Sequence, residues 1–224
     1  LVLSAIIYLP FLIIDRGIFV YYGDYNVQQI PFYQMCHDMI RSGEVGWNWY
    51  TDLGSNFVGS YAFYLLGSPF FWLTIPFPSG AVPYLMAPLM MLKIATAAAT
   101  SFGYIRRFVR NPDYAFLGAL MYAFSGYSIY NIFFNHFHEV IAFFPLLLIA
   151  MEEYFVDGRR GAFPLAVGLL AIVNYYFFFG EVIFCVLYFI VCAFTRKDYK
   201  VTAGNFFLFA LDAGLGLILS AVLL

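Results

Sequence analysis

The 224 residues of this chain are 63% hydrophobic and 22% aromatic but only 11% charged, with a net charge of −2 at pH 7. That is too little polar side chain to cover a water-soluble globule, and the near-neutral balance gives no electrostatic case for a nucleic-acid partner. Three cysteines, Cys36, Cys185 and Cys192, are too few and too poorly spaced for a disulfide framework or a metal site.

Several windows approach the roughly 20 apolar residues needed to cross about 30 Å of hydrocarbon, so the expected fold is all-α, a polytopic transmembrane bundle. The chain opens at Leu1, without Met, inside an apolar run that reaches Ile14, and it stops at Leu224 inside another. It therefore reads as part of a longer polytopic protein, with residues 1–14 the remainder of a first span.

Residues 15–83 form a long first outer loop. Its first half carries Asp15, Asp24, Asp38, Glu44 and Asp52, the only long polar interval in the sequence. Phe32, Met35, Cys36, Met39 and Ile40 recur at helical spacing, with Gln34, His37, Asp38 and Arg41 on the other side. That pattern predicts an amphipathic interfacial helix, started near Pro31 and stopped at Ser42-Gly43. Trp47, Trp49 and Tyr50 place amphipathic rings together, as at headgroup depth.

The uncharged run 57–77 is long enough to span, yet Gly67-Ser68-Pro69, Pro76 and Pro78 interrupt it. Treating it as interfacial or re-entrant puts Arg106/Arg107/Arg110, Arg159/Arg160 and Arg196/Lys197/Lys200 on one side. The positive-inside rule makes that side cytoplasmic and the long loop extracytoplasmic. Further spans are expected at about 84–105, 114–134, 140–155, 162–179, 182–195 and 205–224, all within one transmembrane unit.

Ionisable groups in or beside such a bundle are the functional candidates. Asp24 follows the first span at the mouth of the bundle, where a cap or a plain loop aspartate is the competing reading. His136, His138 and Glu139 fall in an outer connection and suit a divalent ion, a phosphate, a proton transfer or simply a hydrated turn. Glu181, after Asn174–Gly180, is expected in a short outer hairpin. Lys93 and Asp212 stand deep in spans, where a mutual ion pair or snorkelling is expected. Glu152, Glu153 and Asp157 are expected to be solvated beside Arg159 and Arg160.

The strings Gly23-Asp24-Tyr25-Asn26-Val27-Gln28-Gln29-Ile30-Pro31-Phe32-Tyr33, Thr51–Tyr61 and Asn174–Glu181 resemble the YfhO family of bacterial integral membrane proteins. The likeness covers essentially the whole chain, at the position of the N-terminal part of longer family members. It implies a GT-C-like glycosyltransferase of the cytoplasmic membrane that takes a sugar from a polyprenyl-phosphate donor. The implied acceptor is a cell-envelope polymer such as lipoteichoic acid. On that likeness Asp24 is the catalytic carboxylate of the first outer loop and Glu139 the second acidic position. His136, His138, Gln28, Glu181 and Tyr25 are the substrate-binding candidates. Any cofactor is undefined, a divalent cation being one option. A lipid-linked sugar flippase and a non-catalytic assembly protein are the alternatives.

Overall fold

The computed structural model describes residues 1–221 and is an all-α membrane bundle, its only strand pairing a two-residue ladder. The expected interval 222–224 of the last span lies outside the described residues. Among the described residues, three helices are long and apolar enough to cross a bilayer: Ser79–Ile105, Tyr175–Thr195 and Ala203–Ser220. The first of these contains α5 (Val82–Ile105); the others are α10 (Tyr175–Thr195) and α11 (Ala203–Ser220). At about 1.5 Å per residue, α8 (Phe137–Phe155) is also near membrane thickness, although it carries Glu139, Glu152 and Glu153.

α5 packs against α6 (Pro112–Ala123) and α8, while α9 (Ala162–Val173) lies between α8 and α11. The α9–α11 crossing is close because both helices present glycine. A Cβ on Gly216 would sit 2.6 Å from the Pro164 carbonyl oxygen and 2.7 Å from the Val167 Cβ. Small residues at such crossings let backbones approach where lipid supplies no hydrophobic drive.

The basic connections gather at one end of the bundle. Arg107 reaches Asp157 at 2.7 Å, Arg196 reaches Glu152 at 2.7 Å, and the Lys200 amide donates to the Phe155 carbonyl at 3.1 Å. Two expectations change here. Glu152 is buried rather than solvated, held by Arg196 and the Tyr188 hydroxyl. Lys93 and Asp212 do not pair with each other. Asp212 takes Arg160 at 2.9 Å and the Tyr154 hydroxyl at 3.0 Å, because its helix face meets the α8–α9 connection.

At the other end lies the loop. α1 (Val2–Ile14) leads into a π-helical turn Tyr25–Gln29 and then α2 (Ile30–Ser42), which Gly43 ends in the left-handed region at φ 80°. The expected apolar stripe packs on the core with Cys36 its most buried member, and two residues outside the stripe, Tyr33 and His37, are buried as well. His37, expected on the polar side, turns inward because its Nε2 bonds the Phe77 carbonyl at 3.0 Å and its Nδ1 meets Asp38 at 2.9 Å.

β1 (Trp47–Asn48) pairs antiparallel with β2 (Ser55–Asn56). The run 57–77 is broken as its Gly and Pro residues demand: α3 (Phe57–Tyr61), a π turn to Leu66, then α4 (Pro69–Trp72) capped by Ser68. Its longest apolar helical stretch, Phe57–Leu66, covers only about 15 Å and cannot cross alone.

Two expected spans end early. α6 stops at Ala123, and the chain continues through α7 (Gly126–Tyr130), capped by Ser125, and a 3₁₀ turn Asn131–Phe133. α9 stops at Val173, because Asn174 leaves helical geometry (φ −161°, ψ 96°) and its Oδ1 caps the Phe177 amide at 3.2 Å. The expected outer hairpin Phe179-Gly180-Glu181 is therefore helical, within α10.

Candidate functional site

The early stop of α6 lets the connection to α8 dip into the bundle, so that Asn131, Ile132, Asn135 and His136 are all buried. Irregular backbone at such depth must be covered by protein. Here α2 and the 57–72 segment supply the cover. Residues Gln29 and Tyr33, one helical turn apart, face His136 and Asn135 respectively.

At the centre is an ion pair between two side chains almost without solvent exposure, Lys93 of α5 and Glu139 of α8. Lys93 Nζ donates to Glu139 Oε1 at 2.7 Å, to Asn135 Oδ1 at 2.8 Å and to the Asn135 carbonyl at 3.0 Å. An ammonium has three protons, and all three are used. Ser68 Oγ adds a fourth support, donating to the same Glu139 oxygen at 2.5 Å. Glu139 Oε2 has no partner. The Tyr33 hydroxyl lies beside Asn135, Ser68 and the Glu139 carboxylate without a well-formed bond to any of them. Burial, with the Glu139 charge behind it, pushes the Tyr33 phenol well above its ordinary range, so it keeps its proton.

His136 stands next to this pair inside a ring of aromatics, 4.8 Å from Phe63, 5.2 Å from Tyr64 and 4.7 Å from Phe137 between centroids. Gln29 Nε2 donates to Gln28 Oε1 at 3.1 Å, which turns Gln29 Oε1 towards His136 Nδ1 at 3.2 Å. With the amides so oriented, Nδ1 carries the imidazole proton and the unpartnered Nε2 offers a lone pair. Burial first, then the Lys93 charge, pushes the imidazole down to about 3, so it is neutral at pH 7.

The unfolded chain's histidine binds a proton between that value and about 6.5 where the folded one does not, so stability rises with pH across the window. Acidification from pH 7 to 5 should cost about 2 kcal/mol through this residue. Thermal unfolding of the detergent-solubilised protein against pH checks it, with the His136→Gln variant expected to lose that part of the slope.

The other candidates fall as follows. Asp24 is half-buried at the start of the Tyr25–Gln29 turn and makes no capping bond. It is thus one turn from Gln29, the His136 partner, with its carboxylate uncommitted. Gln28 is half-buried on the same turn, and Tyr25 is a core residue, 5.3 Å from Phe19 between ring centroids, its hydroxyl unpartnered. His138 turns the other way, its Nε2 donating to the Ser128 carbonyl at 2.8 Å beneath α7. Glu181 is buried in α10 with one oxygen unpartnered.

Among the described residues, no three His, Cys, Asp or Glu side chains gather closely enough to hold a metal ion. Sequence reading missed Ser68, Asn135 and the pairing of Lys93 with Glu139. The lone lysine in an apolar run was the available signal, since it needs a counter-ion.

The model of a family described as "Bacterial membrane protein YfhO" matches residues 1–224. Neither a curated protein nor a solved structure matches the chain.

Proposed function

This chain belongs to the YfhO family of bacterial membrane proteins, and from that premise we propose that it is a GT-C-type glycosyltransferase. In this reading it moves a sugar from a polyprenyl-phosphate donor to a cell-envelope polymer of the lipoteichoic-acid kind. The observation that supports it is the buried Glu139–Lys93–His136 cluster, roofed by the long loop that carries Asp24, at the end of the bundle away from the basic connections. By the positive-inside rule that end is the extracytoplasmic one.

Asp24 is the proposed general base. It takes the proton of the acceptor hydroxyl while that oxygen bonds to the anomeric carbon. The bond from that carbon to the lipid phosphate breaks, and its electron pair leaves with the phosphate. Glu139, fixed through Oε1 and with its buried Oε2 unpartnered, is the proposed second carboxylate. Its free oxygen accepts hydrogen bonds from the sugar. His136 Nε2 offers a lone pair and suits a hydroxyl or a protonated phosphate oxygen. Gln28 belongs to the same substrate-contacting set, while buried Tyr25, His138 and Glu181 take supporting positions.

Asp24→Asn keeps shape and removes the base. Transfer of labelled sugar from a polyprenyl-phosphate donor by the whole protein should fall by about 10²–10⁴-fold, with expression and unfolding temperature unchanged. Activity close to that of the unmodified protein would remove Asp24 from the mechanism, and no transfer by the unmodified protein would remove the transferase reading itself.

A further inference from the structure

We propose that the groove between α2 and the β1–β2 hairpin is a carbohydrate-binding site for uncharged or amino-bearing glycans. The groove encloses about 570 Å³. One wall is aromatic: Trp47, Trp49 and Tyr50, with Trp49 73% and Tyr50 94% exposed. The two indoles meet edge to face at 5.8 Å and 69°, so their planes form a corner. The opposite wall carries Asp38, Glu44 and Gln34. Flat apolar faces beside hydrogen-bond acceptors suit a sugar ring, which has an apolar C–H face and a rim of hydroxyl donors.

The hairpin holds this wall rigidly, at a conformational cost. Asp52, Leu53 and Gly54 are three successive residues at positive φ (48°, 65° and 117°). At Gly54 a Cβ would lie 2.9 Å from Trp47 Nε1 and 3.1 Å from the Trp49 ring, so the backbone there buttresses both indoles. The buried Asn48 ties the turn together, donating to Thr51 Oγ1 at 2.7 Å and accepting from the Tyr50 amide at 2.8 Å, and Thr51 in turn meets the Tyr61 hydroxyl at 2.5 Å. Strain of this kind persists where the surroundings over-determine it, and it clusters at ligand sites.

Charge selects the ligand class. The lining has two carboxylates and no Lys or Arg, so it repels a polyanion, whether a glycerol-phosphate chain or an anionic lipid surface. In the proposed reaction this groove would hold uncharged or amino sugars already attached to the acceptor, not its phosphate backbone, and that role alone rests on the transferase reading. Binding itself does not.

The test uses the whole protein in nanodiscs, with Trp72→Phe to remove the one other indole. Indole fluorescence is titrated with a neutral hexose oligosaccharide, a hexosamine oligosaccharide and a glycerol-phosphate polymer. Saturable binding of at least one of the two sugars is expected, weakened about tenfold or more by Trp49→Ala, with Glu44→Gln weakening only the hexosamine. No response to the polymer is expected. The proposal is overturned by any of four results: no saturable response to either sugar, an unchanged response in Trp49→Ala, polymer binding as tight as sugar binding, or quenching of these indoles by brominated acyl chains, which would place them in the bilayer. Glycan binding by an unmodified protein that shows no sugar transfer would leave this site standing while the transferase reading falls.

Discussion

Lys93→Met and Glu139→Gln, made separately, should each destabilise the protein by about 3–5 kcal/mol, and made together should recover most of that loss. The two groups are 0% and 1% exposed at 2.7 Å from one another. Removing the ammonium leaves a carboxylate whose only remaining bond is from Ser68, with Oε2 already unpartnered. Removing the carboxylate charge leaves an ammonium among Asn135, Tyr33 and Phe70 with neutral acceptors alone, the two Asn135 oxygens and the amide oxygen of the new glutamine. Either variant keeps one uncompensated charge away from water, which is the costly state.

The double variant has no net charge to bury and nearly the same volume, so its cost should approach that of a volume-conserving swap, about 1.5 kcal/mol or less. Unfolding midpoints of all four proteins in one detergent give the coupling directly. Strictly additive losses would show that the pair does not act as a unit. Activity separates the two roles that Glu139 is given. A double variant that folds like the parent but transfers no sugar assigns Glu139 to substrate, whereas one that folds and transfers assigns it to structure.

How much of this was legible beforehand depended on whether the information was local. The amphipathic run in α2, its stop at Gly43 and the interruption at Gly67-Ser68-Pro69 are written in adjacent residues, and the fold follows them. The end-on clustering of Arg107, Arg160 and Arg196 follows from their placement in alternate connections. The helix stops at Ala123 and Val173 were not legible from hydropathy, because the apolar runs continue through them. Single side-chain caps at Ser125 and Asn174 outweigh that continuity.

The partner of Lys93 was the harder case. Asp212 and Glu139 were both acidic positions in or beside apolar segments, and only the packing of α5 on α8, with α11 on α9, decides between them. The same packing separates His136 from His138, two residues apart in sequence. One turns to the Tyr25–Gln29 turn through Gln29 and the other to α7 through Ser128.

Among the glycines of the described residues, Gly67→Ala should be the most damaging change to alanine. Gly67 has an ordinary φ of −79°, so an alanine meets no conformational objection. The objection is space. Its Cβ would lie 1.9 Å from the Ile172 carbonyl oxygen, 2.7 Å from that carbonyl carbon and 3.1 Å from Ile172 Cγ2. Those atoms belong to the last turn of α9, which Asn174 terminates, and backbone there cannot swing aside as a flexible side chain would.

The broken 57–72 segment must instead move off α9 by more than 1 Å. Ser68 is the next residue, and its 2.5 Å bond to Glu139 moves with it. The expected cost is about 3 kcal/mol or more, at the upper end of overpacking penalties, together with loss of whatever activity depends on a fixed Glu139. Gly80→Ala is the control, since its Cβ would meet nothing within 4 Å. Equal unfolding midpoints for the two variants would mean that the broken 57–72 segment does not rest on α9. A large loss confined to Gly67→Ala would tie the roof of the site to the bundle through one backbone contact.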